Sequence, residues 1–92
     1  MAAVNVRISV ALRRLVQWKP VVTAEGATVG EALADLERRY PGLGDRIATG
    51  EGAVRSYVNV FVNGEHIRYL HGIDTPLVDG AEITILPAAA GG

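Results

Sequence analysis

No cysteine occurs anywhere in the 92 residues. That excludes disulfides, thiolate metal sites and cysteine nucleophiles. An excess of one charge is also missing. Nine Lys and Arg stand against ten Asp and Glu, a formal net charge of −1. Without a basic surplus, nucleic acid is not an expected partner. No apolar run approaches the length of a membrane span, so no membrane is expected. Met1-Ala2-Ala3 leads straight into an alternating pattern and not into a signal peptide, so the expected location is cytoplasmic. No internal repeat or linker divides the chain, which points to one globular domain. The glycines at 26, 30, 42, 44, 50 and 52 form no phosphate-binding fingerprint; they read as turns and caps. His66 and His71 have no third ligand at suitable spacing, so they read as solvated side chains and not as a metal pair. No cofactor-binding or metal-binding residue is assigned.

What is present is an ordinary globular balance, 49% hydrophobic and 21% charged. Val4, Val6, Ile8 and Val10 alternate with polar residues, which predicts a strand with one buried face. Leu12, Leu15 and Val16 fit a helical turn or a loop tucked under the core. Val21 to Ala24 predicts a second strand, paired with the first across a long connection. Thr28 followed by Glu31 is a capping box. It opens a helix to about Tyr40, with Val29, Leu33, Leu36 and Tyr40 on one face and Glu31, Asp35, Arg38 and Arg39 largely off it. Pro41, Gly42 and Gly44 end that helix. Leu43 and Ile47 then turn back onto the core.

Tyr57 to Asn63 is the clearest strand. Val58, Val60 and Val62 point one way; Tyr57, Asn59, Phe61 and Asn63 point the other. Asn63-Gly64 predicts a tight hairpin. The return strand is expected over Glu65–Tyr69 with Ile67 inward. Glu82 to Leu86 forms the last strand, with Ile83 and Ile85 inward. The order strand, strand, helix, strand, strand, strand predicts an α+β fold. A mixed sheet of four to five strands packs on one main helix, as a ubiquitin-like roll. In that order the last strand lies between the first and third. Thr84 and Leu86 then sit beside Phe61 and Asn59 on one side and beside Arg7 and Ser9 on the other. The expectation is an exposed Phe61/Leu86 patch rimmed by Arg7, with Tyr57, Asn59 and Thr84 around it, as a partner-docking site. The alternatives are a dimer contact, or a face covered by Leu15 or Trp18.

After Leu86 no side chain is large enough to pack until the final Gly91-Gly92. The expected division is one folded domain over 1–86 and a flexible tail over 87–92. Glycine has no Cβ, so such a tail can be drawn through a narrow slot. From Pro87 it would reach about 20 Å at about 3.3 Å per residue.

Two segments carry a family resemblance that extends over nearly the whole chain. Val58-Asn59-Val60-Phe61-Val62-Asn63-Gly64-Glu65 resembles the VNxxVN hairpin of the MoaD/ThiS sulfur-carrier family. Leu77-Val78-Asp79-Gly80-Ala81-Glu82-Ile83-Thr84-Ile85-Leu86-Pro87, followed by Ala90-Gly91-Gly92, resembles that family's ending. The ending is most similar to that of the actinobacterial carriers that feed cysteine synthesis. The resemblance implies a β-grasp fold and a protein cosubstrate in place of an enzyme. It implies that a MoeB/ThiF-type adenylyltransferase uses ATP to activate the Gly92 carboxylate, with Gly91 in the tail. The acyl-adenylate is then converted to a thiocarboxylate, and a sulfur-accepting biosynthetic enzyme, such as a cysteine synthase, takes the sulfur. A metalloprotease that trims the tail or releases product is a further implied partner. In this reading ATP and the sulfur source are used through the activating enzyme, and none is bound by the carrier. With no cysteine available for a persulfide, the carried sulfur must sit on the terminal carboxyl. The small subunit of molybdopterin synthase, a ubiquitin-like modifier joined through Gly92, and a plain interaction domain are the competing functions.

Overall fold

The structure is a computed structural model that describes residues 1–48 and 54–87. Its first strand, β1, is Ala2–Ile8, with alternate residues buried along its whole length. The expected strand ran on to Val10. Val10 instead opens a 3₁₀ segment, Val10–Val16, in which Leu12 and Val16 are buried. Leu15 packs against the core and Trp18 is exposed, so neither covers the open face. β2 is Val21–Gly26 and pairs antiparallel with β1.

The main helix, α1, is Val29–Arg39. The Thr28 hydroxyl accepts from the Glu31 N–H at 3.3 Å. The Glu31 carboxylate accepts from Ala27 N–H, one residue upstream of a standard capping box. Val29, Ala32, Leu33 and Leu36 are buried. So is Asp35, which a simple apolar stripe assigns to the solvated side; it is 3% exposed. The cause is tertiary. β2 is an edge strand, and Asp35 accepts the outward Glu25 N–H at 2.8 Å. Arg39 Nε at 2.8 Å and Arg38 balance its charge. A short helix, α2, over Leu43–Ile47 buries Leu43 and Ile47 as expected.

β3 is Val58–Val62, and its turn places Asn63 and Gly64 at φ 51° and 87°. Such values suit Asn and Gly in a two-residue hairpin. The return strand β4 is only Glu65–His66; a 3₁₀ turn, Ile67–Tyr69, replaces the rest of the expected strand. Ile67 is buried as expected. β5 is Glu82–Pro87, one residue longer than expected, because Pro87 still pairs with Val58.

The five strands lie in the order β2-β1-β5-β3-β4, with β1 and β5 parallel. This is the β-grasp arrangement. One sheet face packs on the helices, where Val6, Ile8, Leu33, Leu36, Val58, Val60, Val62, Ile67, Ile83 and Ile85 meet in one core. The other sheet face is open.

Candidate functional site

The open face is built by strand alternation. Burying Val6, Ile85 and Val60 turns Arg7, Thr84 and Phe61 outward. Register then sets them side by side. Val21 lies opposite Arg7, Arg7 opposite Thr84, Thr84 opposite Phe61, and Phe61 opposite His66. One row of side chains therefore crosses all five strands. In the next row Leu86 lies opposite Asn59. Leu86 is 43% exposed, and Tyr57, in the turn before β3, is exposed too. The expected neighbours are thus brought together: Phe61 and Thr84, Asn59 and Leu86, Arg7 and Thr84. Arg7 also faces Glu82 at 3.8 Å, a surface pair that contributes little.

Two expectations need correction. Phe61 is half-buried, because the His66 ring packs edge-on against it with centroids 5.1 Å apart. His66 is half-buried as well, and not freely solvated. Its Nδ1 accepts from the Arg68 N–H at 3.0 Å, and its Nε2 lies 3.1 Å from Asn59 Oδ1. The first bond requires an unprotonated Nδ1, so the neutral Nε2–H tautomer satisfies both. Burial, and then the nearby Arg68 charge, holds its pKa below the ordinary value. The Tyr69 ring follows at 6.4 Å and carries Arg68 5.5 Å from its centroid. The β4 edge therefore ends in an ordered Phe61–His66–Tyr69 ladder. A signal for it existed. The two-residue Asn63-Gly64 turn forces position 61 opposite position 66.

Gly91 and Gly92 lie outside the described residues. What the structure does place is the root of the segment that carries them. β5 ends at Pro87, at the edge of the open face next to Leu86 and Tyr57.

The ThiS family profile matches residues 6–92. The chain belongs to the ThiS family. The resemblance to ubiquitin-like sulfur carriers thus holds over nearly its full length. Among similar proteins, the sulfur carrier protein CysO of Mycobacterium tuberculosis is 38% identical over 91 residues, covering 97% of this chain and 98% of its own. The small archaeal modifier protein 3 of Haloferax volcanii is 41% identical over 68 residues, 74% of this chain and 73% of its own. In the crystal structure of the Amycolatopsis orientalis BexX/CysO complex, one chain superposes with a TM-score of 0.90 at 39% identity, covering 97% of this chain and 99% of that one.

Proposed function

We propose that this ThiS-family chain is a sulfur carrier, consumed as a cosubstrate and not itself a catalyst. In this reading a MoeB/ThiF-type adenylyltransferase binds the open face. The Gly92 carboxylate attacks the α-phosphorus of ATP and pyrophosphate leaves. A carboxylate is a poor electrophile, and the resulting mixed anhydride gives it AMP as a leaving group. A sulfur nucleophile then displaces AMP and leaves a terminal thiocarboxylate. The thiocarboxylate sulfur then attacks an electrophilic substrate on an acceptor enzyme in the cytoplasm, and water cleaves the resulting thioester C–S bond, leaving sulfur on the substrate and restoring the Gly92 carboxylate. A terminal carboxyl titrates near about 3.5, so it is ionised and nucleophilic at neutral pH. The carrier contributes residues 88–92 as the tail and the Phe61, Leu86, Tyr57, Arg7, Asn59 and Thr84 surface as the dock.

The observation that carries the reading is the family match running through to residue 92. The likeness to CysO proteins favours an acceptor in cysteine synthesis. A second reading, a modifier joined to lysines through the same carboxylate, is favoured by the likeness to an archaeal modifier protein. Both need the same activated tail; they part at the acceptor.

Deletion of Gly92 tests the shared step. It should abolish the mass change seen with ATP, an adenylyltransferase and sulfide. The carboxylate would fall back by about 3.3 Å, and a reacting pair must approach to about 3–3.5 Å. The urea midpoint should stay unchanged, because among the described residues the last core side chain is Ile85. Normal adenylation of the deletion variant would remove the tail as the reactive element. With the parent chain, sulfur appearing in a small product supports the carrier. Mass added to lysines of other proteins supports the modifier.

A further inference from the structure

We propose that the Val10–Lys19 connection is a second docking element, an aromatic and cationic collar against which the adenylyltransferase seats the mouth of its tail-accepting channel. The proposal rests on the carrier reading above and adds a surface that the open face does not contain.

Topology places it. β1 and β5 are parallel, so both end at the same edge of the sheet. β2 and β3 run antiparallel to them, so both begin there. The connection from β1 to β2 therefore stands beside the point where Pro87 ends β5. Exposed apolar side chains gather at this end. Among the described residues eight large hydrophobics are exposed, and Val10, Trp18, Val21, Tyr57 and Leu86 all lie here. Met1 and Val78 are at the opposite end, and Tyr69 is at the β4 edge. Charge is one-sided as well. The first 24 residues contain no acid, and this connection holds Arg13, Arg14 and Lys19. Arg13 is tied to Ile8 C=O at 3.0 Å, while Arg14 and Lys19 are exposed.

The backbone gives the strongest sign. Gln17 and Trp18 are both left-handed, at φ 59° and 63°. Residues other than Gly, Asn and Asp rarely accept this, and it persists only where the surroundings enforce it. Here the Trp18 N–H is held by Arg13 C=O at 2.7 Å and the Lys19 N–H by Val16 C=O at 3.2 Å, with Val16 fully buried. The strain gains no burial for the indole. Trp18, the single tryptophan, is 67% exposed. Asn or Gly would make this turn at lower cost, so the indole serves a contact outside the chain. Tryptophan and arginine are the commonest anchors of protein interfaces. The five residues after Pro87 span at most about 17 Å at about 3.3 Å each, so an enzyme that takes Gly92 must bring its channel mouth close to the collar. The matching surface is a pocket for an indole rimmed by carboxylates that face Arg14 and Lys19.

The test compares the parent with Trp18→Asn, Trp18→Phe and Arg14→Glu/Lys19→Glu. Adenylation is followed by ATP–pyrophosphate exchange as carrier concentration is varied, and stability by urea unfolding. Trp18→Asn should unfold at the same or higher urea concentration, because it relieves the turn. It should raise the apparent KM for the carrier about tenfold or more, with kcat at saturation nearly unchanged. Trp18→Phe keeps the aromatic anchor and should stay near the parent. The charge-reversed pair should raise KM most at low salt. A KM for Trp18→Asn within twofold of the parent overturns the collar. A parent that dimerises through Trp18, seen as a sedimentation shift lost in Trp18→Asn with KM unchanged, assigns the surface to a second copy and also overturns it. A parent that supports no exchange overturns the carrier reading and this inference together.

Discussion

Asp35 shows how one side chain ties two elements together. It sits on α1 among buried apolar neighbours, yet it is the acceptor for an edge-strand N–H that has no sheet partner. Removing it strands that donor. Hydrogen bonds to charged groups contribute about 1.5–3 kcal/mol. The arginines it pairs with retain 74% and 37% side-chain exposure and can return to water at little cost. Asp35→Ala should therefore lose about 2 kcal/mol in urea unfolding, and Asp35→Asn less, since its amide oxygen still accepts. A loss below about 0.5 kcal/mol, the range of ordinary surface changes, would mean that the β2 edge does not depend on this contact. Helical spacing placed Asp35 off the apolar face. Only the position of β2 explains why a carboxylate is buried there.

At the scale of elements, the 3₁₀ turn Ile67–Tyr69 depends on His66. The imidazole caps it by accepting from Arg68 N–H, which the neutral ring alone can do. The folded pKa is lowered, so the folded state binds this proton less tightly than the unfolded chain. Stability from neutral His66 is then complete above the unfolded value of about 6.5. It is lost as pH falls from there through the folded value. Urea midpoints should decline over that window in the parent, and His66→Ala should flatten that part of the profile. The His66 ring protons should titrate below about 6.5 by NMR. A midpoint at or above that value would sink the assignment. Period-two reading extended this strand to Tyr69. The His66 cap and the inward turn of Ile67 end it early.

The whole molecule is a sheet with one face closed by helices and the other open. Phe61 and Leu86 sit in adjacent rows of that open face, Phe61 half-buried and Leu86 exposed. Phe61→Ser/Leu86→Ser should weaken adenylation by raising the carrier KM. Leu86 is 43% exposed, while Phe61 is half-buried and packs against the His66 ring, so a modest fall in urea midpoint is expected beside the kinetic change. Unchanged kinetics in a folded variant would remove the patch from the dock.

The sequence by itself determined the elements and the inward residues, because apolar period and turn chemistry are local properties. It determined the hairpin at Asn63-Gly64, since that pair sets its own backbone angles. It also carried the family, through the VNxxVN hairpin and the Leu77–Pro87 ending. Tertiary structure decided what depends on neighbours distant in the chain. The parallel pairing of β1 with β5 set Arg7, Thr84 and Phe61 in one row. It also gathered Val10, Trp18, Val21, Tyr57 and Leu86 at the end where β5 stops. A strand's own alternation shows which side chains face out. It does not show which strand lies beside it, because the long-range hydrogen bonds and core contacts that choose the neighbour form only when the whole sheet closes on α1.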